Sequence, residues 1–186
     1  MWQTDRVMKS PCFERKVPEG DTLERAVCRD CGYIEYHNPK IITGVVPMLG
    51  DKVLLCVRAI EPRVGYWTVP AGFLELGESP EEGAAREAVE EANADVEVGD
   101  LIGVYTIRHI GQVQIFYRGT LRSPAFSAGP ESQRVQLFDW QDIPWDDLAF
   151  PTIRWALQDF DRNRSLESAI PGTRAVPPLA LEDPIE

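Results

Sequence analysis

Between Glu81 and Glu91 the chain places Glu81, Glu82, Glu87, Glu90 and Glu91, with Arg86 as the only cation among them. On a helix advancing about 100° per residue, Glu87, Glu90 and Glu91 fall within an arc of roughly 100°. Like charges three and four apart cost a helix about 0.2–0.5 kcal/mol per pair, which Arg86 offsets only in part. Two readings fit this cluster. It is a site for a hard divalent cation with oxygen ligands, Mg²⁺ or Mn²⁺, or it is a solvated acidic face.

The elements that must position these carboxylates are legible around them. Ser79 caps a helix with Pro80 at its first position, and the helix is expected to run to about Asn93. Ala85, Ala88, Val89 and Ala92 form the side opposite the acidic face, where small residues let the helix approach a sheet. Upstream, Ile41–Val46 and Val53–Val57 read as paired strands around the turn signal Gly50-Asp51. Pro70-Ala71-Gly72 and Gly77 punctuate a loop before the helix. Downstream, strands are expected at Leu101–Ile107, Val113–Thr120 and Val135–Trp140. A last helix should start at Pro151 and reach about Asp161, with Ile153, Leu157 and Phe160 on one side. Strands interleaved with two helices indicate a mixed α/β sandwich. The segment after Arg164 contains Pro171, Pro177, Pro178 and Pro184 and reads as an extended tail, compatible with packing on a partner subunit.

The chain has 186 residues, Asp+Glu 30 against Lys+Arg 19, and a net charge of −11. Such acidity excludes nucleic acid polymers and anionic membranes as partners, since both attract clustered Lys and Arg. No apolar run approaches the roughly 20 residues of a membrane span. The first residues carry no signal-peptide core, and four cysteines are too few for a disulfide framework, so a cytoplasmic protein is expected.

Counting from Gly72 gives five residues, Glu78, seven residues, then Arg86-Glu87-Ala88-Val89-Glu90-Glu91. This resembles the Nudix box, the signature of the Nudix hydrolases, with Asn93 where the pattern has Gly and Ala94 at its closing aliphatic position. Asn is the residue next most tolerant of the left-handed conformation that ends a helix. The resemblance implies an α/β/α sandwich with a mixed β-sheet and a metal-dependent enzyme. Its reaction would hydrolyse a nucleoside diphosphate linked to another moiety, of FAD, NADH or ADP-ribose type. The products would be a nucleoside monophosphate and the other phosphorylated half. The alternatives are a hydrolase of nucleoside triphosphates or diphosphate sugars, and a ligand sensor without turnover. Carried over residue by residue, Glu87, Glu90 and Glu91 would bind Mg²⁺ or Mn²⁺ together with the Ala71 backbone carbonyl, one glutamate also serving as general base. Arg86 and Glu78 would pair and orient the carboxylates.

Arg58 ends the second strand and reads either as a contact to substrate phosphate or as a surface salt bridge. Glu131, in Gly129-Pro130-Glu131-Ser132, is an extra ligand or base from a facing loop, or a plain turn residue. Trp67, Tyr105, Phe116 and Tyr117 could stack on a base or flavin, although strand aromatics are more often core. His109 stands at a strand end, facing the cleft or simply in a turn, and Cys56 reads as core.

Cys28-Arg29-Asp30-Cys31-Gly32, flanked by Val17–Asp21 and Tyr36–Lys40, is similar to the start of the Nudix subgroup with an N-terminal zinc ribbon, which includes plant-type FAD pyrophosphatases and bacterial ADP-ribose pyrophosphatase relatives. The likeness covers roughly residues 6 to 160. In that subgroup the first cysteine pair falls on Arg6 and Lys9, cations that cannot ligate zinc. A set of Cys12, Cys28, Cys31 and His37 is the irregular alternative; a ribbon without zinc is expected, its thiols free or joined in a disulfide. The expected organisation is a degenerate ribbon-like segment at 1–37, a Nudix hydrolase domain at 38–163 and a Pro-rich tail at 164–186. The expected partner is a small-molecule nucleotide diphosphate, with a homodimer compatible with the tail.

Overall fold

The computed structural model describes residues 12–165 and 170–176. Arg6, Lys9 and the tail beyond residue 176 therefore lie outside the described residues. Contacts divide the chain into two compact units, one ending at Asn38 and one beginning at Pro39.

The first unit holds β1 (Phe13–Lys16), β2 (Arg25–Cys28) and β3 (Ile34–Glu35) in one antiparallel sheet. After β2 the chain turns tightly, the Gly32 N–H donating to the Cys28 carbonyl at 2.9 Å and the Cys28 N–H to the Tyr33 carbonyl at 2.8 Å. Cys12, Cys28 and Cys31 are all free thiols, so the disulfide alternative does not occur.

The second unit is built on an eight-stranded mixed sheet. In chain order its strands are β4 (Lys40–Leu49), β5 (Lys52–Arg58), β6 (Trp67–Thr68), β7 (Ala71–Phe73), β8 (Val96–Ile107), β9 (Gln112–Leu121), β10 (Ser132–Phe138) and β11 (Gly172–Val176). The helices are α1 (Pro80–Ala92) and α2 (Pro151–Asn163). Spatially the order is β10-β5-β4-β9-β8-β11, with β6 paired to β5 and β7 to β4. The β4–β9 and β8–β11 pairs are parallel and the rest antiparallel.

Alternating side chains serve opposite faces of a sheet. Val45 and Leu54 accordingly join a core with Ala84, Ala88 and Ala92 of α1. Their neighbours Val46 and Leu55 join another with Ile153, Ala156, Leu157 and Phe160 of α2. Coverage on both faces explains why Val53 through Val57 are all buried, with no polar alternation. The result is the sandwich expected from the interleaved elements. No helix among the described residues is long and apolar enough to cross a membrane.

Two stretches differ from the sequence reading. The loop expected at Pro70–Gly72 is partly strand β7, formed because Thr43 and Gly44 of β4 pair with it. Residues 172–176 of the expected extended tail form the edge strand β11 in register with Gly103–Ile107. Buried Asp159 of α2 holds that strand, accepting hydrogen bonds from Tyr105 Oη at 2.9 Å and Arg174 Nη2 at 2.5 Å.

Candidate active site

The acidic helix is defined at both ends. Ser79 Oγ accepts from the Glu82 N–H at 3.2 Å, and the Glu82 carboxylate accepts from the Ser79 N–H at 2.7 Å, a complete capping box with Pro80 inside it. Asn93 stops the helix in the left-handed conformation (φ 45°, ψ 36°). Its side-chain amide donates to the Ser127 carbonyl at 3.1 Å. The Gly129 N–H donates to the Glu91 carbonyl at 2.9 Å. A β-carbon at Gly129 would fall 1.7 Å from the Glu90 carbonyl oxygen, so only glycine lets this loop press on the helix. That contact carries Glu131 toward the acidic cluster.

The packing of α1 corrects one expectation. Glu87 and Glu91 do not lie opposite the packing face; they belong to it, at 8% and 5% exposure, beside Gly83, Ala84, Ala88 and Ala92. Val89 is exposed and Ala85 only half-buried. Glu91 falls between Glu87 and Ala88 around the helix, so the face that meets the sheet takes the carboxylates with it.

Arg86 ties the cluster together. Its guanidinium donates to Glu78 through Nε at 3.0 Å and Nη2 at 2.8 Å, to Glu87 through Nη1 at 2.6 Å, to Glu90 through Nη1 at 2.9 Å and to the Phe73 carbonyl through Nη2 at 2.9 Å. This guanidinium and a Glu75 backbone N–H hold the Glu78 carboxyl down at about 2. The expected Arg86–Glu78 pair is therefore present, and it fixes Arg86 where it can grip Glu87. Gly72 faces the same group. A β-carbon there would stand 2.3–2.5 Å from the Glu87 carboxylate atoms, so the side chain fills space that only glycine leaves.

Glu91 is the electrostatic focus. Burial, the Glu87 charge and the Glu131 charge raise its carboxyl, while Arg58 and a hydrogen bond from the Ala71 backbone oppose them; it stands at about 8. Glu87 is raised too, chiefly by burial, with Arg86 opposing. The buried Glu91 Oε2 has no hydrogen-bond partner among the described residues. An unpaired buried carboxylate oxygen is costly unless protonated or met by a cation.

Five site residues from the sequence thus come together: Glu87, Glu90, Glu91, Arg86 and Ala71. Arg58 and Glu131 join them electrostatically from paired strand ends, Ser132 standing opposite Arg58 and the Ala59 N–H donating to the Glu131 carbonyl at 2.8 Å. Among the described residues Arg58 makes no salt bridge; its Nε donates to the Pro62 carbonyl at 2.8 Å. Trp67, Tyr105, Phe116 and Tyr117 are buried core side chains, and His109 sits in an exposed 3-10 turn. Cys56 is fully buried, its thiol pushed up by burial and by the charge of Glu91. Sequence reasoning missed the parts played by the Phe73 carbonyl and by Gly129; the glycine itself was visible, its target was not.

Among the described residues no three His, Cys, Asp or Glu side chains are already gathered as a metal cage. Glu87 and Glu90 meet on the Arg86 guanidinium instead. The donor chemistry still fits a hard divalent cation: carboxylate oxygens, one buried and unpartnered, beside a backbone segment that approaches closely at Gly72.

Known proteins resemble the chain over this region. The NUDIX domain family matches residues 39–157, and the Nudix N-terminal (zinc-ribbon) family matches residues 10–37. A MutT-like protein of Streptomyces ambofaciens is 43% identical over 77 residues, 41% of this chain; the chain spans only 48% of that relative's length. An ADP-ribose pyrophosphatase of Methanocaldococcus jannaschii is 28% identical over 118 residues, covering 60% of this chain and 69% of the relative. The crystal structure of a Nudix hydrolase from Nitrosomonas europaea superposes with a TM-score of 0.86 at 43% identity, covering 92% of this chain and 97% of that one. With a NUDIX match across more than half its length and the loop–helix site in place, the chain belongs to the Nudix hydrolase family.

Proposed function

We propose that this enzyme is a metal-dependent pyrophosphatase of ADP-ribose-type or NADH-type dinucleotide substrates, with FAD in the same class. The observation that carries the reading is the buried Glu91 Oε2, without a hydrogen-bond partner among the described residues, on a carboxyl that feels the Glu87 charge and the Ala71 backbone. The pyrophosphatase of M. jannaschii supports the choice of substrate class. Glu87, Glu90, Glu91 and the Ala71 carbonyl would hold Mg²⁺ or Mn²⁺, which supplies positive charge at the diphosphate oxygens and acidifies the attacking water.

The chain's own groups do the rest. Arg86, anchored on Glu78 and on the Phe73 carbonyl, orients Glu87 and Glu90. Glu91, whose carboxyl burial raises to about 8, takes the proton of the attacking water. Attack at one phosphorus breaks its bond to the bridging oxygen, releasing a nucleoside monophosphate and the other phosphorylated half. Arg58 contacts a phosphate oxygen, and Glu131 adds a carboxylate from the facing loop. The catalytic part is residues 38–163, and the free thiols fit a reducing, cytoplasmic setting.

A hydrolysis panel with Mg²⁺ or Mn²⁺ over ADP-ribose, NADH, FAD and a nucleoside triphosphate tests the assignment. Turnover of the first three well above the triphosphate is expected. Faster turnover of the triphosphate would overturn the substrate class, and tight binding without any turnover would make the protein a sensor.

A further inference from the structure

The end of α1 carries more than a helix stop requires. The Asn93 N–H donates to the Val89 carbonyl at 2.8 Å and the Ala94 N–H to the Ala88 carbonyl at 3.1 Å, the paired bonds that end a helix through a left-handed residue. Both bonds are made by the backbone. Glycine, which the Nudix box has at this position, would make them without a β-carbon to strain. The Asn93 side chain acts elsewhere. Its Nδ2 stands 3.1 Å from the Ser127 carbonyl oxygen, 3.1 Å from Ser127 Oγ and 3.3 Å from the Ala128 carbonyl oxygen. Carbonyl oxygens only accept, so the amide must turn its N–H groups toward this loop.

The loop that receives the amide is also tied to α1 by its backbone. The Ser127 N–H donates to the Ala92 carbonyl and the Gly129 N–H to the Glu91 carbonyl, each at 2.9 Å. These carbonyls belong to the last helical turn, where no partner exists within the helix. Two residues beyond Gly129, the Glu131 carbonyl accepts from the Ala59 N–H at 2.8 Å, and β10 begins at Ser132. The backbone of Glu131 is therefore held from both sides. Its side chain is exposed, so packing does not fix the carboxylate and its place depends on that backbone. The charge still reaches the cluster. Burial is the main cause that raises Glu87 and Glu91, and the Glu131 charge adds to it at both.

We propose that Asn93 is a positioning residue for Glu131: its amide pins residues 127–129 on the end of α1, so that the Glu131 carboxylate stands beside Glu87 and Glu91 and adds its charge to the set that holds a divalent cation. This rests on the reading of that cluster as the metal site of a pyrophosphatase and deepens it. Asn93 in place of the glycine of the box then does two things at once. Its backbone ends the helix, and its side chain fixes the loop that brings a carboxylate from outside the box. Glycine could perform only the first.

The experiment uses Asn93→Gly, which keeps the left-handed stop and deletes only the amide, alone and combined with Glu131→Gln in the full chain. Hydrogen exchange reads the pin. The Ser127 and Gly129 N–H groups should exchange about 10-fold faster in Asn93→Gly, with the amides of β5 unchanged. Titration with Mn²⁺ in the absence of substrate reads the carboxylate. Glu131→Gln should weaken binding about 10-fold and Asn93→Gly about 5-fold. In the Glu131→Gln background, Asn93→Gly should change it by less than about 2-fold. A residue that only ends the helix would act by the same factor in both backgrounds. Equal factors, unchanged exchange, or wild-type Mn²⁺ affinity in either single variant overturns the proposal. Hydrolysis of ADP-ribose, NADH and FAD is scored separately on the same proteins. Coupled loss of Mn²⁺ affinity, with no compound turned over by wild type, would sink the pyrophosphatase reading and leave the positioning role standing. Turnover by wild type with uncoupled Mn²⁺ factors would do the reverse.

Discussion

Replacing Glu91 with Gln keeps the shape of the side chain and removes its ionisation, so it isolates what the buried charge costs. The folded protein keeps the Glu91 proton up to about pH 8, whereas an ordinary glutamate releases it near 4.5. Between those values the folded state binds more protons than the unfolded chain, so the metal-free protein loses stability as pH rises. Below about 4.5 both states are protonated and the penalty vanishes; above about 8 it is complete. Each pH unit inside the window is worth about 1.4 kcal/mol, so going from about pH 5.5 to about 7.5 costs roughly 2–3 kcal/mol. For a chain of this size that lowers the melting temperature by roughly 5–10 °C. The assay is a set of thermal melts in chelator across that range, for wild type and for Glu91→Gln. The variant should lose more than half of the slope, Glu87 accounting for what is left. Adding Mg²⁺ at about pH 8 should raise the melting temperature of wild type far more than that of the variant, because a cation replaces the missing proton. Equal slopes in the two proteins would refute the argument, as would an equal metal shift. Turnover by Glu91→Gln at the wild-type rate would refute its catalytic assignment.

Gly72→Ala places a β-carbon 2.3 Å from Glu87 Oε1. Displacing that carboxylate from Arg86 should lower kcat by about 100-fold while a melting curve shows the fold retained; normal kcat would mean that Glu87 is not used where it stands. Asp159→Ala leaves Tyr105 Oη and Arg174 without their shared buried acceptor. A loss of about 3 kcal/mol in urea unfolding is expected, with protease sensitivity appearing at β11. Unchanged stability would mean that the β11 edge is held by its ladder alone.

Much of the site was written locally. Ser79, Pro80 and Glu82 announce where α1 starts, and Asn93 where it ends, because caps and left-handed stops depend on residues a few positions apart. Glu78, Arg86, Glu87, Glu90 and Glu91 likewise follow from spacing along one loop and helix. Long-range pairing was less legible. β6 and β7 span two and three residues, too short to show a pattern, and exist because β5 and β4 offer them partners. β11 hides among prolines and depends on Gly103, far away in sequence, and on buried Asp159 of α2.

The sequence by itself determined the chemistry available: a capped helix with carboxylates at three- and four-residue spacing, an arginine to hold them and a glycine-punctuated approach. Only the tertiary structure decided which of those carboxylates became unusual. Packing α1 against the sheet buried Glu87 and Glu91 and left Glu90 in water, and the antiparallel β5–β10 pair brought Arg58 and Glu131 alongside. Proton affinity depends on the surrounding dielectric and on neighbouring charge, and both are set by segments that meet only when the chain folds.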